Sequence, residues 1–240
     1  ADKTVPLIER IRFLGIFSNN LDEFFKVRYA TVKRIVDAGK SGKSMLGGET
    51  AKDLLEEITK IAIKHQAKSV DILKSIQREL EGQDIFIIKE TQLSDDQIEF
   101  VKNYFVQKVS PQLMTIILND LTKFPDLKDT AAYLAIKMII VGDQKAKERE
   151  KRYALIEIPK GIDRFVVLPK EGDKNYIIIL DDVIRYCLRN IFTMFEYESI
   201  SAHMIKITRD AELDMDNDLS KSFIEKISSS VEHRKVGHPV

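Results

Sequence analysis

The chain has 240 residues, 38 basic and 38 acidic side chains, and an apolar fraction of 44%. That balance excludes wholesale disorder and argues against a nucleic-acid binder dominated by a basic surface. The longest uncharged apolar run, residues 111–119, is far short of the ~20 residues a membrane helix needs, and one cysteine, Cys187, excludes an internal disulfide. No basic-then-apolar leader opens the chain, so the expected setting is a reducing, cytoplasmic one.

The chain opens with Ala1-Asp2-Lys3 and stops at Gly237-His238-Pro239-Val240. Both ends are expected to be cut points in a longer protein. From Leu7, apolar residues recur at steps of three and four through Ile8, Ile11, Leu14 and Phe17, which predicts a helix with one apolar face. Pro6 suits the first turn of that helix. Ser18-Asn19-Asn20 then reads as a break, because these side chains cap the free N–H groups of a following first turn. A second helix is expected from Leu21, with Asp22 and Glu23 in its first turn, where negative charge suits the helix dipole. A glycine-rich stretch over 39–48 reads as a loop. Thr50, with Asp53 three residues on, starts a long helix through Ile58, Ile61, His65 and Ile76 that ends at Gly82. Three helices so joined predict a small antiparallel bundle.

After Gln83 the texture changes. Ile85-Phe86-Ile87-Ile88 suits a buried strand, and Ser94-Asp95-Asp96-Gln97 is a capping box for a helix through about Lys108. Strand-like runs follow at 133–141, 152–158, 164–168, 175–180 and 200–208. Helices are expected at 181–194 and 219–233. The fold class is therefore α+β: a helical domain over 1–84, then a mixed α+β head over 85–240.

No catalytic constellation emerges from residue types and spacing. Gly42-Lys43-Ser44 resembles the end of a phosphate-binding loop, but Asp37 stands where the first glycine belongs. Asp214, Asp216, Asp218 and Glu225 have calcium-loop spacing, but Leu219 stands where the sharp turn needs glycine. The same residues suit a helix cap. His65 reads as a core or boundary residue, and His203, His233 and His238 have no metal-ligand spacing. Cys187, inside a predicted helix, reads as packing. The charged run at 145–152 reads as a solvated loop tip, with contact to a polyanion as its rival.

One segment is more distinctive. Pro6-Leu7-Ile8-Glu9-Arg10-Ile11-Arg12-Phe13-Leu14-Gly15-Ile16-Phe17-Ser18-Asn19-Asn20-Leu21-Asp22-Glu23-Phe24-Phe25-Lys26-Val27-Arg28 closely resembles the start of the long, histidine-phosphorylating bacterial polyphosphate kinases. Arg152-Tyr153-Ala154-Leu155-Ile156-Glu157-Ile158-Pro159, Asp181-Asp182-Val183-Ile184-Arg185-Tyr186-Cys187-Leu188 and Thr208-Arg209-Asp210-Ala211-Glu212 follow in the family's order. The resemblance implies most of an N-terminal helical domain and most of a head domain, with two catalytic domains absent from this chain.

The resemblance also implies a divided chemistry. The whole enzyme reversibly moves the terminal phosphate of ATP to inorganic polyphosphate through a phosphohistidine, with magnesium. The nucleophilic histidine and the magnesium ligands lie in the part this chain lacks, so no catalytic and no metal residue is expected here. The residue carried over is Asn20, at the adenine of ATP, whose amide has both a donor and an acceptor. Its reading as a helix cap stands beside that one. The head implies a homo-oligomer. The expected partners are ATP, ADP and polyphosphate, without nucleic acid or a transmembrane segment. The expected location is the cytoplasm, or the inner membrane periphery through the whole enzyme. No role is implied for Arg209, Asp210 or Glu212. Two rivals remain: a non-catalytic dimerising module, and a calcium-binding protein using Asp214 to Glu225.

Overall fold

The computed structural model describes residues 2, 4–37, 50–119, 121–123, 125–129, 131–141 and 149–208. Several readings fall outside them: the glycine-rich stretch with Gly42-Lys43-Ser44, the first half of the charged run at 145–152, Arg209, Asp210 and Glu212, the calcium-like spacing, the helix at 219–233, and His233 and His238. The described residues form two compact units, one holding the chain up to Glu79 together with Thr208 and one spanning Leu80–Ile207.

The first unit is built from helices. Helix α1 spans Leu7–Phe24, passes into a π-helical turn at Phe25–Tyr29, and continues as α2, Ala30–Asp37. The break expected at Ser18-Asn19-Asn20 is therefore absent, and none of the three is a cap. Ser and Asn in a helix interior cost only about 0.5 kcal/mol each relative to Ala. That is too little to stop a helix whose apolar spacing resumes at Leu21 and Phe24. Helix α3, Ala51–Glu81, starts as the sequence predicts: the Asp53 N–H donates to Thr50 Oγ1 at 3.2 Å, and Asp53 Oδ2 accepts from the Thr50 hydroxyl at 2.7 Å. Two long helical segments thus stand where three helices were expected. They run antiparallel, since Arg10 meets Glu79, Phe17 meets His65 and Tyr29 meets Thr59.

Among the described residues the second unit holds seven strands in two sheets. The strands are β1 Ile85–Ile88, β2 Met114–Ile117, β3 Ala132–Ile140, β4 Lys151–Glu157, β5 Phe165–Val167, β6 Asn175–Ile179 and β7 Tyr197–Lys206. One sheet has the order β1-β6-β5, with β1 and β6 parallel; the other is antiparallel, β2-β4-β3-β7. Strand β2 was not expected, although it lies within the apolar run at 111–119. Helix α4, Asp95–Tyr104, carries half of the expected box, with Gln97 Oε1 accepting from the Ser94 N–H at 3.2 Å. The helix expected at 181–194 is instead α5, Leu180–Tyr186, and α6, Leu188–Ile191, parted at Cys187. Nothing in the local sequence marks that break.

Alternation explains the core. Leu134, Ile136 and Met138 of β3 point to one face and are almost fully buried, with Ala154 and Ile156 of β4 beside them. Val101 and Phe105, together with Val183, Ile184 and Cys187, close over them. Fully burying such a side chain contributes ~1.5–3 kcal/mol. The opposite face carries a smaller cluster of Leu127, Ala131, Tyr133 and Leu155. There the Tyr133 hydroxyl accepts from the Lys128 N–H at 2.9 Å, so the buried phenol is satisfied.

Candidate functional site

Asn20 is exposed and sits in the middle of α1. Its neighbours on that helix face are Phe17, Leu21 and Phe24, and across from them α3 presents Ile58, Ile61, Ala62 and His65. Each set follows the 0, 3, 4, 7 spacing that places side chains on one helical face. Asn20 therefore occupies an interhelical position where the pattern calls for an apolar residue. These residues line a groove of about 370 Å³, within the ~300–1,000 Å³ typical of small-ligand sites. Its walls are carbon apart from Asn20 and His65. Apolar faces around a few hydrogen-bonding groups are what an aromatic heterocycle requires.

A second groove, about 490 Å³, continues along the same helices. It shares Phe17 and His65 with the first and runs on past Phe13, Arg10 and Lys68. His65 was expected in the core or at its boundary. It is exposed, at the junction of both grooves, with its ring edge-on to Phe17 at 6.5 Å between centroids and 72° between planes. The stripe itself was legible, had the helix been carried through Ser18-Asn19-Asn20.

The other chemistry-bearing residues do not join this site. Cys187 is 1% exposed within the main core, and burial pushes its thiol up to about 11, so it is not a nucleophile. His203 lies on β7, opposite Ala135. Asp182 and Arg185 of α5 pair with each other, and Arg185 reaches Glu90 at 3.7 Å. Burial, then the negative charges of Glu90 and Asp181, raise the Asp182 carboxyl to about 6 against the pull of Arg185. Arg164 holds Asp181 at 2.9 Å. These pairs fasten the start of α5 to its surroundings. From the charged run at 145–152, Arg149 pairs with Glu198, and Arg152 with Glu150 at 2.6 Å. Among the described residues no group of three His, Cys, Asp or Glu converges as a metal site. No described helix is long and apolar enough to cross a membrane.

Comparison with known proteins bears on both units. Residues 1–88 match the family described as "Polyphosphate kinase N-terminal domain", and residues 96–240 match "Polyphosphate kinase middle domain". The chain is 42% identical over 245 residues to a protein named "Polyphosphate kinase" from Vibrio cholerae, and 40% identical over 248 residues to one of the same name from Escherichia coli K12. In both cases the match covers 100% of this chain and 34% of the relative. Among solved structures, the crystal structure of polyphosphate kinase from Porphyromonas gingivalis is similar at a TM-score of 0.71 and 26% identity, over 96% of this chain and 34% of that one. The chain thus spans about a third of the length of its curated relatives. It belongs to the polyphosphate kinase family, of which it carries the N-terminal and middle domains.

Proposed function

We propose that this chain supplies one wall of the adenine pocket, and a dimerisation scaffold, to a polyphosphate kinase that reversibly transfers the terminal phosphate of ATP to polyphosphate. The observation that carries the reading is Asn20, a hydrogen-bonding amide set in an interhelical groove that is apolar apart from it and His65. A carboxamide matches the donor–acceptor edge of adenine, and the flanking Phe17, Leu21 and Phe24 offer carbon surface to its faces. With Asn20 in mid-helix, the cap reading no longer competes. The phosphohistidine and the magnesium site belong to the part of the enzyme outside this chain. This portion orients the nucleotide, which contributes to rate without chemistry of its own.

Residues 1–84 form the helical domain and 85–240 the head. The positive φ of Asp84, 57°, between α3 and β1 supports a boundary there. Oligomerisation runs through the head, whose ten-residue strand β7 stands at a sheet edge, with backbone groups to offer a second copy. ATP, ADP and polyphosphate are the partners. The cytoplasm, reaching to the inner membrane periphery, is the setting that a single free buried thiol suits.

The test is Asn20→Ala in the whole enzyme. Losing one neutral hydrogen bond of ~1 kcal/mol should raise the KM for ATP about fivefold, with melting temperature unchanged. A KM that does not move would remove Asn20 from the site.

A further inference from the structure

The groove at Asn20 holds a second polar side chain, and it comes from the facing helix. Of the residues that line it, only Asn20 on α1 and His65 on α3 carry hydrogen-bonding groups. Both residues are exposed, and no described residue hydrogen-bonds either side chain. One amide does not define a bound base. Its oxygen and nitrogen exchange places when the group turns over, so Asn20 alone can meet the edge of adenine or of guanine. A second polar contact from the opposite wall fixes the in-plane orientation. His65 has two ring nitrogens, one a donor and one an acceptor in the neutral form. The edge-on Phe17 ring beside it sets the plane of the imidazole against the groove.

We infer that His65 is a second base-contacting residue of the nucleotide site, hydrogen-bonding the purine from α3 while Asn20 holds it from α1. The inference rests on the adenine reading of Asn20 and names a partner for it. His65 also stands where the two grooves meet, so a base held there leaves the rest of the nucleotide free to lie along the second groove.

The experiment is saturation-transfer NMR on the whole enzyme of which this chain is a part, with ATP as the probe and magnesium left out so that no phosphate is transferred, for the unmodified chain and for Asn20→Ala, His65→Ala and His65→Gln. The unmodified chain should pass saturation to the adenine protons more than to the ribose. Asn20→Ala and His65→Ala should each weaken binding about fivefold, the effect of one neutral hydrogen bond. His65→Gln, which keeps a donor and an acceptor at similar reach, should recover most of the loss. Because His65 is exposed, each His65 variant should melt with the unmodified chain, and the Gln variant separates a lost contact from lost structure.

If Asn20→Ala weakens binding and His65→Ala does not, the role of His65 is overturned and the adenine reading stands. If His65→Ala alone weakens it, the site is real and Asn20 is not its reader. If neither Asn20→Ala nor His65→Ala weakens binding, both the role of His65 and the adenine reading are overturned.

Discussion

The guanidinium of Arg10 and the carboxylate of Glu79 meet fork to fork, Nη1 to Oε2 at 2.7 Å and Nη2 to Oε1 at 3.0 Å, across 69 residues of sequence. Arg10 is 6% exposed, although its neighbours Ile8 and Phe13 are open to solvent. The hydrogen bond to Glu79 raises the arginine's pKa further, so the guanidinium stays charged throughout the physiological range. A bidentate ion pair therefore ties the first turns of α1 to the last turns of α3.

Removing the carboxylate should be costly because it strands a buried cation. Glu79→Leu is expected to lower the melting temperature clearly more than Glu9→Ala, which cuts only the exposed Arg12–Glu9 pair. Thermal unfolding by circular dichroism checks this. Equal losses would mean that the bidentate pair gives no special support.

Asp182 sets a pH dependence of the opposite sense to an ordinary ion pair. Its folded pKa, about 6, lies above the unfolded carboxylate value. The folded state therefore binds the extra proton, and stability is highest below the unfolded value and falls as pH rises to about 6. The full effect is on the order of 3 kcal/mol. Denaturant unfolding between pH 4 and pH 7 should show the decline, and Asp182→Asn should flatten it.

Cys187 should be chemically silent in the folded chain. With the thiol raised to about 11 by burial, little thiolate is present near neutrality. A disulfide reagent at mildly alkaline pH should label the unfolded chain completely and the folded chain hardly at all. Rapid labelling without denaturant would place Cys187 outside the core.

Helix α3 ends at Glu81, just before Gly82 as expected, and the left-handed residue between helix and strand is Asp84. Its carbonyl accepts from the Asn175 N–H at 2.8 Å, so the turn has little freedom to relax. Asp84→Val should destabilise by ~1–2 kcal/mol, the penalty for a side chain in that region, whereas Asp84→Gly should be neutral or stabilising. Urea midpoints of the two variants give the comparison.

How much of this was legible depends on which signals compete locally. Strands β3 and β4 were readable because they are rich in branched and aromatic residues that suit a pleated sheet, and the start of α3 because Thr50 and Asp53 are a reciprocal pair. Ser18-Asn19-Asn20 misled because residue type alone cannot tell a cap from polar residues carried inside a helix. The apolar periodicity on both sides outweighs them. Reading the break there also hid the stripe in which Asn20 and His65 face one groove. The parting of α5 from α6 at Cys187 depends on tertiary packing and has no marker in the sequence.

Parallel pairing of β1 with β6 carries a consequence for biosynthesis. Asp84 and Asn175, which close that pairing, are 91 residues apart. At roughly 5–20 residues per second, β1 leaves the ribosome about 5–20 s before its partner exists. Helices α1, α2 and α3, all synthesised by Glu81, can pair during that interval. Ile85-Phe86-Ile87-Ile88 cannot, and in the nascent chain it is an adhesive apolar segment awaiting a strand. That interval is where a chaperone has most to do for this protein.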